Sequence, residues 1–235
     1  VSEYSHSPPF SLFPGSPRHS TFANIPIRST PITIREPPSS WRVVNVDLLA
    51  KATVTEALQA ALDGARTVFL RRNDALVPRT RRTNPDEPRE GGPLIKQVVL
   101  RKQLRRLHGG WIGLGSALGA DTPAGFMNVV VDDADHSEPI TIESIDVTGI
   151  LHSSRNELII RHVFAHHPAA TCFATAQRPQ LGDVFIESFQ PKNTGGDTQP
   201  VGGPGLQIIA SAPGSVRVWA RGLDIEGTLK HVENR

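Results

Sequence analysis

Twenty prolines and twenty glycines punctuate the 235 residues, and that punctuation limits what the chain can fold into. Proline removes a backbone donor and glycine weakens the middle of a helix or strand, so regular elements must be short. Only two or three stretches keep a helical pattern. A chain of this length can still bury a core large enough to stand without staples. The single Cys172 excludes an internal disulfide framework and a cysteine-based zinc site. No apolar run approaches the roughly 18 residues that cross a bilayer. No charged start followed by an apolar stretch marks a secretory signal either, so no membrane partner is expected. The first residue is Val1, which points to processing from a precursor or to a segment upstream.

Residues 1–40 hold eight prolines and nine serines and read as an extended arm. Phe10, Leu12, Phe13, Phe22, Ile25 and Ile27 give it anchors for packing on another surface. A core domain spans 41–235. Trp41 to Leu48 is its first convincing strand. A helix over 53–64 follows, with Thr53 and Glu56 at capping-box spacing and Val54, Ala57, Leu58, Ala61, Leu62 and Ala65 on one face. Further short strands fall at Thr67–Leu70, Leu94–Leu100, Trp111–Leu118, Phe126–Val131, Leu158–Phe164, Thr171–Thr175, Val184–Phe189, Leu206–Ala210 and Val216–Ala220. Ile140 and Ile142 alternate in one phase, Ile145 and Val147 in the other, so a β-bulge is expected near Ser144. The helical pattern does not recur between strands, which argues against a parallel α/β sheet. The expected fold is therefore mainly β: an antiparallel, jelly-roll-like β-sandwich with one or two short helices and an extended N-terminal arm.

Charge is unevenly placed. Twelve basic residues face four acids between Arg66 and Arg106, and the rest of the chain is correspondingly acidic. Arg71, Arg72, Arg79, Arg81, Arg82, Arg101, Lys102, Arg105 and Arg106 form clusters suited to the phosphates of a nucleic acid, or to acids on a neighbouring subunit. Among them only Phe69 is aromatic, so base stacking is not suggested. The long segment 78–93, charged and proline-rich, has the character of a functional loop.

The case for an enzyme rests on histidines. Asp132, Asp133, Asp135, His136 and Glu138 cluster within seven residues, and His152, His162, His166 and His167 follow. Imidazole with carboxylate could hold a metal on a cupin-like double-stranded β-helix. The spacing is generic, the cupin glycine framework is missing, and the expectation is no bound metal, no cofactor and no catalytic residue. Gly113-Leu114-Gly115-Ser116 is not a nucleophile elbow, and Cys172, between Thr171 and Phe173, reads as a buried thiol.

In layout the chain resembles the single-domain jelly-roll coat proteins of small icosahedral RNA viruses. The residues that carry this are the Pro/Ser-rich arm, the helix between early strands (Thr53 to Arg66) and the closing pattern SVRVWARGLDIEG at 215–227. The resemblance implies a non-enzymatic capsid protein that self-assembles into a shell through arm and sandwich flanks and contacts packaged RNA. It would reside in the virion, and in host cytoplasm during assembly. The arm departs from that family, with only Arg18, Arg28 and Arg35 as basic residues, so RNA contact would fall on the nine residues named above or on a segment upstream. A nucleic-acid-binding movement protein or complex subunit of the same fold is the related alternative.

Overall fold

The computed structural model describes residues 28–33, 35–45, 54–71, 95–114, 127–167, 172–193, 204–208, 216–220 and 230–234. The chain divides into a unit of residues 1–30 and a unit of residues 31–235. Most of the expected arm, with its aromatic anchors, lies outside the described residues.

The second unit is mainly β. A short 3-10 turn at Pro38–Ser40 leads to β1 (Arg42–Asn45), the helix α1 (Val54–Asp63) and β2 (Thr67–Arg71). Twelve strands follow: β3 (Val98–Lys102), β4 (Arg106–Leu114), β5 (Val129–Ala134), β6 (Ile140–Val147), β7 (Ile150–His152), β8 (Leu158–His167), β9 (Phe173–Thr175), β10 (Val184–Ile186), β11 (Phe189–Asn193), β12 (Pro204–Ile208), β13 (Val218–Ala220) and β14 (Lys230–Asn234). One sheet runs β1-β2-β4-β6-β8-β10-β13, with β11 also paired to β8. The other runs β3-β5-β7-β9-β12-β14.

Every pairing between described strands is parallel. The antiparallel jelly-roll-like sandwich expected from the sequence is thus corrected. Parallel neighbours ordinarily need a long crossover, usually a helix, and the lack of recurrent helices therefore spoke for antiparallel pairing. Here the crossover out of one sheet is a strand of the other. From β3 onward the chain alternates between sheets, β10 and β11 together serving as the one pass that pairs with β8, and lays each coil on the previous one, a parallel β-solenoid.

Register makes the core. Val68, Leu107, Ile142, Ile160 and Ile186 align across the first sheet, and Val98, Val129, Ile150 and Phe173 across the second. All are buried in one apolar cluster. Stacking like on like lets a strand's alternation place one phase inside the coil throughout.

The first sheet bends at one corner per coil. Ser144 (φ 52°) and His162 (φ 51°) take left-handed conformations there, and Gly110 (φ 55°) and Trp111 (φ 63°) do the same in β4. The irregularity expected near Ser144 is present as this corner. Register shifts between His108 and Ile112, and on either side the inward phase resumes with Ile112, Ile145, Val163 and Phe189.

Buried asparagines close the turns. Asn128 donates to the Leu114 carbonyl (2.7 Å) and accepts from the N–H groups of Thr148 (3.0 Å) and Gly149 (3.2 Å). Asn156 accepts from Ala134 N–H (2.9 Å) and donates to the Glu138 carbonyl (3.1 Å). Each fixes adjacent coils with bonds that buried backbone groups require.

The corner is tight at Gly109. A Cβ there would lie 2.4 Å from Ile145 Cβ and 2.7 Å from the Ser144 carbonyl, whereas one on Gly113 would find its nearest neighbour at 3.7 Å. Gly109→Ala should destabilise the protein by roughly 1–3 kcal/mol, the usual cost of overpacking. Gly113→Ala should stay within about 0.5 kcal/mol of the parent. Urea unfolding midpoints of the two variants check the difference.

Candidate functional site

Of the nine basic residues expected to touch nucleic acid, five are described. Arg101 and Lys102 leave β3 and grip Asp63 at the end of α1, at 3.0 and 2.7 Å. The hydrogen bond from Arg101, helped by Lys102 and Gln59, outweighs burial and holds the Asp63 carboxyl well below the usual carboxylate range. Arg105 pairs with Glu138 at 2.7 Å, and Arg106 pairs with Glu143. Arg71, exposed at the end of β2, has no ion-pair partner among the described residues. Arg72, Arg79, Arg81 and Arg82 lie outside the described residues.

The histidines do not converge. No group of three or more His, Cys, Asp or Glu among the described residues could hold a metal ion. His136 and Glu138 are near each other (3.5 Å), but His136 Nε2 meets the Leu104 carbonyl (3.1 Å) and Glu138 takes Arg105. His162 lies exposed at a corner, and the side chains of His166 and His167 lie outside the description. Cys172 is buried, as expected. Asp132 and Asp133 pair with Arg178, and Asp133 also with Arg155. Burial opposes ionisation of Asp133, yet the Arg155 backbone N–H and the two guanidinium groups keep its pKa lowered.

What the sequence reading missed is the outer face of the first sheet. Val43, Phe69, His108, Glu143 and Arg161 occupy one outward register column. Trp41 lies across its start, with ring centroids 5.8 Å from Phe69 and 6.2 Å from His108, and the Arg106 guanidinium sits 5.1 Å from the Trp41 ring. Glu143 is 6% exposed and is held by Arg106 Nε at 2.7 Å. Arg161 pairs with Glu187. His108 accepts from Gly110 N–H through Nδ1 (3.0 Å). Burial lowers its pKa, with Arg106 adding to that and Glu143 opposing it.

Beyond the corner, Trp111 stands 57% exposed. Its ring lies 6.2 Å from His162 and 6.1 Å from Phe164, both on β8, two strands away in the sheet. Large aromatic residues in the polar phase of a strand are the signal that could have revealed this face. At its N-terminal end an open cleft of about 580 Å³ is lined by Glu36, Trp41, Arg42, Arg66 and Gln103, among others.

Fold and face together define a parallel β-solenoid with an aromatic outer surface whose charges are largely paired. No family model, curated protein or solved structure matches the chain.

One titratable group inside the coil controls stability. His152 points into the core, 0% exposed, beside Val131 and Thr175 in register. Nε2 meets the Gly182 carbonyl at 2.9 Å, while Nδ1 is buried without a partner. Burial pushes its pKa from 6.5 down to about 4, with Arg178 adding and Asp133 and the Gly182 bond opposing. The folded state therefore binds fewer protons than the unfolded state between those values. The stability this supports is complete above 6.5 and is lost as pH falls toward about 4. At about 1.4 kcal/mol per pKa unit, lowering the pH from about 7 to about 5 should cost the parent roughly 2 kcal/mol more than His152→Gln. Urea titrations at both pH values measure it.

Proposed function

We propose that this chain binds an extended polysaccharide along the outer face of its solenoid. The observation that carries the reading is the Trp111 ring, exposed at 57% and held beside Phe164 and His162 of a distant coil. A flat, amphipathic ring exposed on a rigid sheet is costly to leave in water and suited to stacking on the apolar face of a sugar. Strands succeed one another by about 4.8 Å along the solenoid, close to the length of one pyranose unit. A linear glycan laid across the strands would meet a new side-chain row with each sugar.

Charge favours a saccharide over a polyanion on this face. Arg106 and Arg161 are already engaged by Glu143 and Glu187, so a phosphate would have to displace a carboxylate to reach them. Those paired groups can instead offer hydrogen bonds to hydroxyls. Because Glu143 and Glu187 are held in ion pairs, the reading is one of binding, without an assigned acid or base. Trp111→Ala should weaken polysaccharide binding by roughly tenfold or more, as truncation of a central aromatic contact does, with the urea midpoint little changed. Titration calorimetry against soluble glucans, mannans and uronans tests it. No binding to any of them by the parent protein would remove the reading.

A second reading is supported by Arg71, exposed and without a carboxylate at the mouth of the basic segment. RNA contact through Arg71, Arg72, Arg79, Arg81 and Arg82 would be phosphate-directed and salt-sensitive. Replacing Arg79, Arg81 and Arg82 together with Ala should then flatten the salt slope of single-strand binding by up to about three units. Shell assembly rested on the coat-protein layout, and the parallel sheets do not share that layout's sandwich.

A further inference from the structure

The cleft beside Trp41 gathers charge without a carboxylate partner. Arg42, at the start of β1, and Arg66, in the turn before β2, are both exposed, and both line it. Neither has a carboxylate partner among the described residues, in contrast to Arg101, Arg105, Arg106, Arg155, Arg161, Arg178 and Arg217, each of which has one. Gln103 brings an exposed amide to the same cleft. Three side chains with free donors thus surround one concavity.

The acid in the cleft does not cancel them. Glu36 accepts a hydrogen bond from the Thr67 hydroxyl (3.2 Å), and one carboxylate against two guanidinium groups leaves an excess positive charge. Trp41 supplies a wall with no free donor, because its indole N–H is spent on the Glu36 carbonyl (2.9 Å). Its ring also packs on Phe69 and His108, which makes the wall continuous with the aromatic outer face. A ring to stack on, two planar forks and an amide fit a sugar that carries an anionic group.

We infer that the cleft is a subsite for an anionic sugar, a uronate or a sulfate-bearing hexose, at one end of the polysaccharide path. The inference rests on the polysaccharide reading and adds the substrate class. It places anion recognition at Arg42 and Arg66, which line one cleft without a carboxylate partner among the described residues, whereas Arg106 and Arg161 are engaged by Glu143 and Glu187. The ligand is then an acidic glycan recognised through its sugar rings together with the one anionic group that reaches the cleft.

The test compares four probes by titration calorimetry on the full chain: a uronic-acid oligomer, a sulfated hexose oligomer, the neutral hexose oligomer and a single-stranded oligonucleotide of equal charge. A uronic-acid or sulfated oligomer should bind at least roughly tenfold tighter than the neutral one, the scale of one charge-assisted contact, and comparison of the two identifies the anionic group. Arg42→Gln with Arg66→Gln should remove that preference and leave neutral binding intact, whereas Trp111→Ala should weaken the neutral and acidic oligomers alike. Both arginines are exposed, and an unchanged urea midpoint shows that the double variant is folded. Equal affinity for neutral and acidic oligomers overturns the cleft assignment while leaving the polysaccharide reading standing. Absence of binding by every oligosaccharide overturns both. Oligonucleotide binding that is tighter than any saccharide and lost in the double variant overturns the inference in favour of nucleic acid.

Discussion

Each coil of a parallel solenoid satisfies its backbone groups on the coil before it, so the first coil of a sheet needs another partner. In the second sheet β3 is that first strand, and α1 supplies what a preceding strand would. Gln59 acts as a peptide unit: its Oε1 accepts from Val99 N–H (2.7 Å) and its Nε2 donates to the Val99 carbonyl (2.9 Å). One turn earlier Thr55 accepts from Lys96 N–H (3.1 Å), and one turn later Asp63 receives Arg101 and Lys102. Residues 55, 59 and 63 lie four apart on one ridge of the helix. The neighbouring ridge of Val54, Leu58 and Leu62 is buried and seals the apolar interior. An open edge with unpaired donors is a template for aggregation, and α1 removes it.

Once the first coil is fixed, the outer face follows from the corners. A left-handed residue is costly for any side chain other than glycine, yet Ser144, His162 and Trp111 all adopt it. The bend lets the inward phase resume after each corner, as Ile112, Ile145 and Val163 show. The residues at the bend are thereby turned out toward solvent. Backbone strain and aromatic exposure coincide at Trp111, a combination that belongs more often to recognition surfaces than to packing.

Most local elements were legible in the sequence, but β7 (Ile150–His152) and β14 (Lys230–Asn234) were not read, and β4 begins at Arg106, five residues before the strand expected from Trp111. The apolar face of α1, most of the short strands and the phase change at Ser144 follow from periodicity alone. The direction of pairing was not, because a strand alternates with period two in parallel and antiparallel sheets alike. Coils of roughly 20 to 40 residues, the range of solenoid repeats, vary here from turn to turn, since the step between Ile142 and Ile160 is short and that between Val68 and Leu107 is long. No fixed period betrays them. The site was hidden for a similar reason: Trp41, His108 and Glu143 are neighbours only because four successive strands, β1, β2, β4 and β6, stack in the first sheet.

The arginine clusters show how stacking redistributes charge. Read along the chain, Arg101 to Arg106 is a basic run. In space its members meet Asp63 and Glu143, acids 37 to 39 residues distant, along with Glu138, and the run dissolves into ion pairs. Charges that far apart in sequence are invisible to each other in a pattern count, yet a few ångströms apart they set each other's availability. Arg42 and Arg66, which stand outside the Arg101 to Arg106 run, have no carboxylate partner among the described residues. A basic stretch in a solenoid is therefore a poor guide to where an anion binds. The better guide is the register of the neighbouring coil, because it decides which cation faces a carboxylate and which faces water.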